Sequence, residues 1–265
     1  MAARLMGIVN VTPDSFSDGG KFLDCERAIA HGRELAGQGA DILDVGGEST
    51  RPGADAIGAD EELRRVGPVV EGLAGAGGAG VPVSIDTSKR AVAEAALDAG
   101  AAIVNDVTAL RAEPELAGLC ADRGCEVVLM HILGDPRTMQ DAPRYDDVVD
   151  DVRSFLAERI EFATAAGIDE GRIWVDPGIG FGKTVAHNLE LHRRLGELRE
   201  LGRPIVFGSS RKGFIGKLTG APVDERLGGT IASNAIARAN GADVLRVHDV
   251  APARDALAVA EAILT

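Results

Sequence analysis

The sequence predicts an α/β fold, a single-domain (β/α)8 TIM barrel over residues 1–265 with long loops at its C-terminal face. Eight short runs rich in Ile, Val and Leu recur along the 265 residues, and helical patterns lie between them. The connections that follow several of these runs are long and rich in Gly, Pro, Asp and Ser, whereas those that precede them are short. No break in composition divides the chain.

The apolar runs are nearly continuous, as expected for strands that are covered on both faces. They occupy residues 5–9, 42–45, 81–85, 103–104, 127–130, 173–175, 205–207 and 244–247. A doubly wound open sheet would favour a dinucleotide or phosphate-loop fingerprint, and the sequence has neither. The ending Gly182-Lys183-Thr184 resembles a phosphate loop, but that motif needs glycine where Pro177 stands.

Between the runs, apolar residues repeat every three to four positions, as in helices that pack on a sheet. Such repeats occupy residues 63–73, 149–163 and 191–201, and the last of eight helices is predicted at 254–264. Glycines stand where these helices should end, because glycine adopts the left-handed conformation of a helix C-terminus at little cost. They are Gly39, Gly80, Gly100, Gly124, Gly167, Gly202 and Gly241.

The net charge of −13 argues against nucleic acid or an anionic membrane surface as a partner. A local cationic pocket or a metal can still bind an anionic small molecule. Cys25, Cys120 and Cys125 form neither a metal-ligand nor a disulfide pattern, and we expect Cys120 and Cys125 to be packing residues rather than a redox pair. Without a signal peptide or an apolar run long enough to span a bilayer, a cytoplasmic protein is predicted.

Polar residues end the predicted strands, and a parallel barrel would bring them to one face. They are Asn10, Asp44, Asp86, Asn105 with Asp106, His131, Asp176, Ser210 to Lys212, Arg246 and His248. A single polar strand end is ordinarily a cap or a loop hydrogen bond. Their recurrence at every strand predicts an active site, because Asp and Asn in apolar strands cost free energy unless they are paired or used.

Two chemical poles are expected at this face. Carboxylates, an amide and an amine can hydrogen-bond a flat heterocycle that carries N–H, C=O and amino groups; these are Asp86, Asn105, Asp176 and Lys212. Arg246 and His248, with Asn10, form a cationic corner suited to phosphate oxygens. Because Mg2+ bound to a diphosphate takes few protein ligands, the amide oxygen of Asn10 would be sufficient.

In this order, the strand ends resemble the dihydropteroate synthases, pterin-binding enzymes of the folate pathway that sulfonamides inhibit. The resemblance covers residues 6–263. Its motifs are GIVNVTPDSFSDGG at 7–20, DVGGESTRPG at 44–53, SIDT at 84–87, ND at 105–106, LMH at 129–131, DPGIGFGK at 176–183, SRK at 210–212 and RVHD at 246–249. Each motif alone is weak, but their joint occurrence is highly specific.

The resemblance implies a transferase that joins 6-hydroxymethyl-7,8-dihydropterin diphosphate to 4-aminobenzoate by an SN1-like, Mg2+-assisted substitution, and it implies a homodimer. Carried over by position, the pterin ligands are Asp86, Asn105, Asp176 and Lys212. The diphosphate site is Asn10, Thr50, Arg246 and His248, with Asn10 on the metal. The aminobenzoate pocket is Phe16, Thr50, Arg51, Pro52, Phe181, Lys212 and Gly213. The catalytic residues are Asp86, Lys212, Arg246 and His248.

The chain departs from the family at two places. Gly213 stands where a serine often contacts the aminobenzoate carboxylate, so that contact would pass to backbone N–H or water. The chain begins almost at the first strand, whereas family members often carry an N-terminal extension that covers the barrel bottom. The loops 11–22 and 48–60 are expected to be mobile lids.

Several residues also have plain structural interpretations. Phe16 and Phe181 are possible loop anchors, and Arg51 a surface charge. His131 is expected to be structural, Asp44 to orient a Lys or Arg, and Lys183 to point to solvent, as lysines after glycine-rich loops often do.

Two other functions stay open. One is a pterin-binding methyltransferase domain that transfers a methyl group to a corrinoid, and the other is a paralogue without turnover. The methyltransferase needs neither a diphosphate corner nor aminobenzoate lids, so Arg246, His248 and the loop 50–52 favour the synthase. Retention of all the strand-end groups argues against the paralogue.

Overall fold

The computed structural model of the chain describes residues 2–12, 21–50 and 53–264. Its strands are β1 (Arg4–Asn10), β2 (Ile42–Gly46), β3 (Val83–Asp86), β4 (Ile103–Asp106), β5 (Glu126–Met130), β6 (Ile173–Asp176), β7 (Val206–Phe207) and β8 (Val244–Val247). They form one parallel sheet in the order β6-β5-β4-β3-β2-β1-β8-β7. A parallel bridge between Val175 and Ile205 joins its two ends. The predicted (β/α)8 barrel is therefore confirmed.

The helices of the described segments number nine rather than the predicted eight. They are α1 (Lys21–Gly37), α2 (Ala59–Ala74), α3 (Arg90–Asp98), α4 (Leu116–Arg123), α5 (Val148–Ala165), α6 (Val185–Arg193), α7 (Gly213–Thr219), α8 (Leu227–Ala239) and α9 (Val250–Leu264). The additional helix arises because the connection from β7 to β8 contains both α7 and α8. In the described part of the chain, no helix combines the length and apolarity needed to cross a membrane.

Element boundaries follow local chemistry. All seven glycines predicted to end helices have positive φ angles, from 58° at Gly124 to 105° at Gly100, which confirms that prediction. Strand β3 begins at Val83 rather than at residue 81, because Pro82 has no N–H to donate to the ladder. The apolar repeat at 191–201 is not one helix: α6 ends at Arg193, and a 3-10 helix, Leu195–Leu201, follows it.

The barrel interior has an apolar layer below a polar one. Side chains two residues apart on a strand face the same side, and on four strands the second one is polar. The pairs are Ile42 and Asp44, Ile103 and Asn105, Trp174 and Asp176, and Val244 and Arg246. The four apolar members belong to one buried cluster. Arg4 covers it from below, with its guanidinium 4.3 Å from the centre of the Trp174 ring.

Candidate active site

One arginine links several residues of the polar layer of the barrel to each other. Arg246 donates from Nε to Asp44 Oδ2 at 2.6 Å and from Nη2 to Asp86 Oδ2 at 2.8 Å. Asn105 Nδ2 donates to the same Asp44 oxygen at 3.0 Å. Asp44 is fully buried and orients a cationic neighbour, as expected from the sequence. Four strands, β2, β3, β4 and β8, thus contribute to one hydrogen-bonded floor at the strand ends.

The carboxyl group of Asp86 is electrostatically unusual. Burial raises the pKa of Asp86 to about 7, Arg246 opposes this shift, and the negative charge of Asp44 adds to it. Asp86 can therefore hold or release a proton near neutral pH. An ionised carboxylate accepts hydrogen bonds from ring N–H and amino groups, and a protonated one can also donate. Perturbed acids of this kind in a cleft are candidates for functional residues.

A second group of polar residues comes from the end of β6 and the turn after β7. Asp176 Oδ1 accepts from the Gly178 N–H at 2.7 Å; burial raises the pKa of Asp176, and Lys212 opposes that shift. Burial lowers the pKa of Lys212 to about 8, and Asp176 opposes it in turn. The Lys212 amine donates to the Ile179 carbonyl and lies 4.6 Å from the centre of the Phe181 ring. Phe181 is thus beside Lys212, where an aminobenzoate-pocket residue is expected.

Glycines let the loop after β6 pass close to its neighbours. A Cβ atom on Gly180 would lie 3.2 Å from Lys212 Cδ, and one on Gly178 only 1.8 Å from the carbonyl oxygen of His131. Both glycines have positive φ angles, 84° and 67°. Gln140 Nε2 donates to the Gly180 carbonyl at 2.7 Å. The loop after β5 therefore supports the loop after β6.

Lys183 does not point to solvent, so that prediction is wrong. Only 3% of its surface is exposed; its Nζ lies 2.9 Å from His131 Nδ1 and donates to the Phe181 carbonyl at 3.0 Å. The reason is local: Gly182, with a φ of 65°, turns the chain so that the next side chain points inward. The pKa of His131 is lowered to about 2, chiefly by burial and next by the charge of Lys183. This fits the structural role expected of this buried histidine.

At the cationic corner, His248 is held by a serine. Ser210 Oγ lies 3.0 Å from His248 Nδ1 and accepts from the His248 N–H at 3.2 Å. This contact was not anticipated from the sequence. Ser210 is buried, and the nearby carboxylate of Asp249 binds Arg211 rather than the imidazole. The contact orients His248 and does not complete a nucleophilic triad.

Asn10 ends β1 opposite Gly46 of β2. Its side chain is partly exposed and makes no hydrogen bond to another residue that the structure describes. Among residues 2–12, 21–50 and 53–264, no group of three or more His, Cys, Asp or Glu is arranged to hold a metal ion. Mg2+ commonly keeps several waters and takes few protein ligands beside phosphate oxygens. A single free amide oxygen therefore fits a loosely held Mg2+.

The remaining predicted residues are Phe16, Thr50, Arg51, Pro52 and Gly213. Thr50 is partly exposed and ends the second described segment. Phe16, Arg51 and Pro52 lie outside the described residues, so their roles stay predictions. Gly213 begins α7 and is exposed.

An ionic cluster of two partly exposed residues and one buried glutamate lies beside the site and was missed from the sequence. Lys89 Nζ donates to Glu48 Oε2 at 2.6 Å and to Glu62 Oε2 at 2.5 Å. Glu62 is fully buried, and its spacing of four residues from Val66 places it on the inner face of α2, a signal that was available. Lys89 carried no comparable signal. The cluster fastens the loop after β2 to the end of β3.

Comparisons with known proteins agree on one family. A family model described as "Pterin binding enzyme" matches residues 6–248. A dihydropteroate synthase of Escherichia coli K12 is 45% identical over 262 residues, 99% of this chain and 92% of the relative. A probable bifunctional folylpolyglutamate synthase/dihydropteroate synthase of Haloferax volcanii is 50% identical over 246 residues, 93% of this chain but only 29% of the relative. A solved Xanthomonas albilineans dihydropteroate synthase with 4-aminobenzoic acid has a TM-score of 0.92 at 53% identity, covering 99% of this chain and 93% of that one.

Proposed function

Because the chain belongs to the pterin-binding enzyme family and, within it, is a transferase of the dihydropteroate synthase class, we propose the reaction and the residues that carry it. The substrates are 6-hydroxymethyl-7,8-dihydropterin diphosphate and 4-aminobenzoate, and the products are 7,8-dihydropteroate and diphosphate. The observation that carries the proposal is the polar layer at the barrel mouth, in which Arg246 joins Asp44 to Asp86.

The pterin ring is bound by Asp86, Asn105, Asp176 and Lys212. Ring N–H and amino groups donate to the carboxylates, Asn105 can donate and accept, and the Lys212 amine donates to a ring carbonyl or nitrogen. Support comes from the burial that raises the pKa values of Asp86 and Asp176. A ligand that donates hydrogen bonds to these buried carboxylates would favour their charged form.

The diphosphate is bound by Arg246, His248, Thr50 and Asn10. Burial lowers the pKa of Arg246, but the charges of Asp44 and Asp86 outweigh it and raise the value, so the guanidinium is charged. Ser210 holds the imidazole of His248 in one orientation. Asn10 would hold Mg2+ through its amide oxygen; when bound, the ion neutralises charge on the departing diphosphate.

The substitution is SN1-like. Arg246 and His248 stabilise the diphosphate as it leaves, and the carboxylates of Asp86 and Asp176 stabilise the positive charge that develops on the pterin methyl carbon. The amine of 4-aminobenzoate then attacks, and its nitrogen becomes acidic enough to lose a proton without a strong base. His131 does not serve as that base, because it is buried and its pKa is lowered to about 2.

The test is diphosphate release measured with Mg2+, with and without 4-aminobenzoate. We expect release only with both substrates, and we expect Asp86→Ala to abolish pterin binding in calorimetry, because the ring N–H donors lose an acceptor. Pterin binding without release would contradict the proposal. A corrinoid methylation assay would then separate the methyltransferase domain from a paralogue without turnover.

We propose that the chain is a homodimer. Among the described residues, seven large apolar side chains are exposed on α7 to α9 and in the link after α7. They are Leu218, Val223, Leu227, Ile236, Val259, Ile263 and Leu264. A two-fold related copy would cover such a surface.

Sedimentation of the unmodified protein should give a mass of twice 27.5 kDa. The double variant Ile236→Glu with Val259→Glu should sediment as the monomer. Leu133→Glu, outside this surface, is the control, and a monomeric unmodified protein would refute the dimer.

We propose that it acts in the cytoplasm as one domain over residues 1–265. The cysteines Cys25, Cys120 and Cys125 are free thiols, which suits a reducing compartment.

A further inference from the structure

Two consecutive contacts fasten the turn after β7 to the residues that follow β8. Ser210 Oγ lies 3.0 Å from His248 Nδ1. The next residue, Arg211, donates to Asp249 from Nε at 3.0 Å and from Nη2 at 2.6 Å. Because the paired residues are neighbours in both segments, the turn cannot shift relative to β8 without breaking both contacts.

Arg211 has an uncommon backbone conformation, with a φ of 56°. A residue with a Cβ atom is disfavoured there, and it persists only where the surroundings impose it. Both backbone polar groups of Arg211 are hydrogen-bonded. The Arg211 N–H donates to the hydroxyl of Thr230, which is buried, at 3.0 Å. The Arg211 carbonyl accepts from Arg226 Nη1 at 3.0 Å.

Stability alone is a weak explanation for this arrangement. The side chains of Arg211 and Asp249 are 34% and 22% exposed, and ion pairs that solvent reaches contribute little to stability. Arg238 and Glu261 form another partly exposed pair at 2.6 Å, but it joins α8 to α9 and carries no predicted site residue. Arg211, in contrast, directly precedes Lys212, and Asp249 directly follows His248.

We propose that Arg211 is a positioning residue. Its strained turn and its pairing with Asp249 hold the Lys212 amine in its buried position beside the Phe181 ring, at a fixed place relative to His248. The inference rests on the proposed function, in which Lys212 contacts the pterin and His248 the diphosphate. One rigid unit would then align the two ends of the same substrate, and such alignment lowers the barrier by preorganisation.

The first test follows the Lys212 amine itself. The chain has five lysines, so 13C labelling of lysine side chains gives few signals, and a Lys212→Arg sample assigns the one of interest. In the unmodified protein this signal should titrate near pH 8, since burial lowers the Lys212 pKa to about 8. In Arg211→Gln it should titrate closer to 10.5, the ordinary lysine value, because the amine is no longer held in its buried position. Arg238→Gln, the matched control, should leave it unchanged.

The second test is kinetic. Arg211→Gln and Asp249→Asn should each lower kcat/KM for the pterin diphosphate about tenfold. Their melting temperatures should be close to that of the control, Arg238→Gln. The activity of this control should stay within about twofold of that of the unmodified protein. An unchanged Lys212 titration with activity within twofold would overturn the proposal. If the unmodified protein releases no diphosphate, the proposed function fails, whereas the titration still decides whether Arg211 positions Lys212. If Arg211→Gln does not fold, Arg211→Lys answers the same question, because it keeps the charge and loses the two-pronged contact.

Discussion

Lys183 and His131 lie side by side in the interior, with Nζ of the lysine 2.9 Å from Nδ1 of the histidine. They are 52 residues apart in the chain and come from the loop after β6 and the end of β5. The same amine donates to the Phe181 carbonyl. Burial lowers the pKa of Lys183 well below its usual range. Asp176 opposes that shift, and the charge of Lys212 adds to it.

Lys183→Met removes this amine and keeps most of the side-chain volume. His131 and the Phe181 carbonyl each lose a partner, so the free energy of unfolding should fall by about 1–3 kcal/mol. Because Phe181 would be held less firmly, KM for 4-aminobenzoate should rise. Urea unfolding and steady-state kinetics measure both, and the exposed Lys217→Met on α7 is the control. Unchanged stability would mean that the amine does not hold the loop.

Asp86 predicts a pH dependence of stability. Its pKa is raised from 3.8 to about 7 in the folded protein, chiefly by burial. The folded state thus favours the protonated form, and this contribution is fully present below pH 3.8 and lost as the pH rises through about 7. Asp86→Asn lacks this contribution at every pH. The unfolding free energy of Asp86→Asn minus that of the unmodified protein should therefore increase as the pH rises over this range, by at most about 1.4 kcal/mol per pH unit. Urea titrations at several pH values measure the difference, and a constant difference would contradict the raised pKa.

Arg246 is predicted to affect both turnover and stability. Arg246→Lys keeps a positive charge but loses the two-pronged contact with Asp44 and Asp86, so kcat/KM for the pterin diphosphate should fall about 100-fold. Arg246→Met leaves both acids without their cation and should lower the unfolding free energy by about 3–5 kcal/mol. Arg153→Met, at an exposed pair with Glu200, is the control. Unchanged kinetics would remove Arg246 from the diphosphate site.

Gly213→Ser should strengthen 4-aminobenzoate binding. Nothing lies within 4 Å of a Cβ atom placed on Gly213, so the serine should fit. A hydroxyl at the start of α7 can donate to the aminobenzoate carboxylate, and hydrogen bonds to charged groups contribute about 1.5–3 kcal/mol, so KM should fall about tenfold. Gly228→Ser on α8, where the space is also open, should change nothing. An unchanged KM in Gly213→Ser would place the carboxylate away from α7.

Sulfonamides should inhibit the reaction by competing with 4-aminobenzoate. Because Thr50 is assigned to the pocket that both share, Thr50→Ala should change the affinities for sulfamethoxazole and 4-aminobenzoate together. Inhibition constants measured at several aminobenzoate concentrations test this. Activity that persists at high sulfamethoxazole, or a change in one affinity only, would contradict the assignment.

The barrel was predictable because its signals are local. Continuous apolar runs, glycines such as Gly124 and Gly100 at helix ends, and the two-residue step from Ile103 to Asn105 each depend only on neighbouring residues. The step also places Asn105 at the barrel mouth once the fold is known. Element ends were less predictable, because Leu195–Leu201 continues the apolar repeat of α6 as a 3-10 helix.

By itself, the sequence determined the fold, the family and the set of polar residues at the strand ends. Only the tertiary structure decided how those residues pair. It joins Arg246 to Asp44 and Asp86, 202 and 160 residues away, and it buries Lys183 against His131. The physical reason is that an ion pair or a buried amine depends on distances set after the chain has folded, whereas propensity and periodicity act over a few residues.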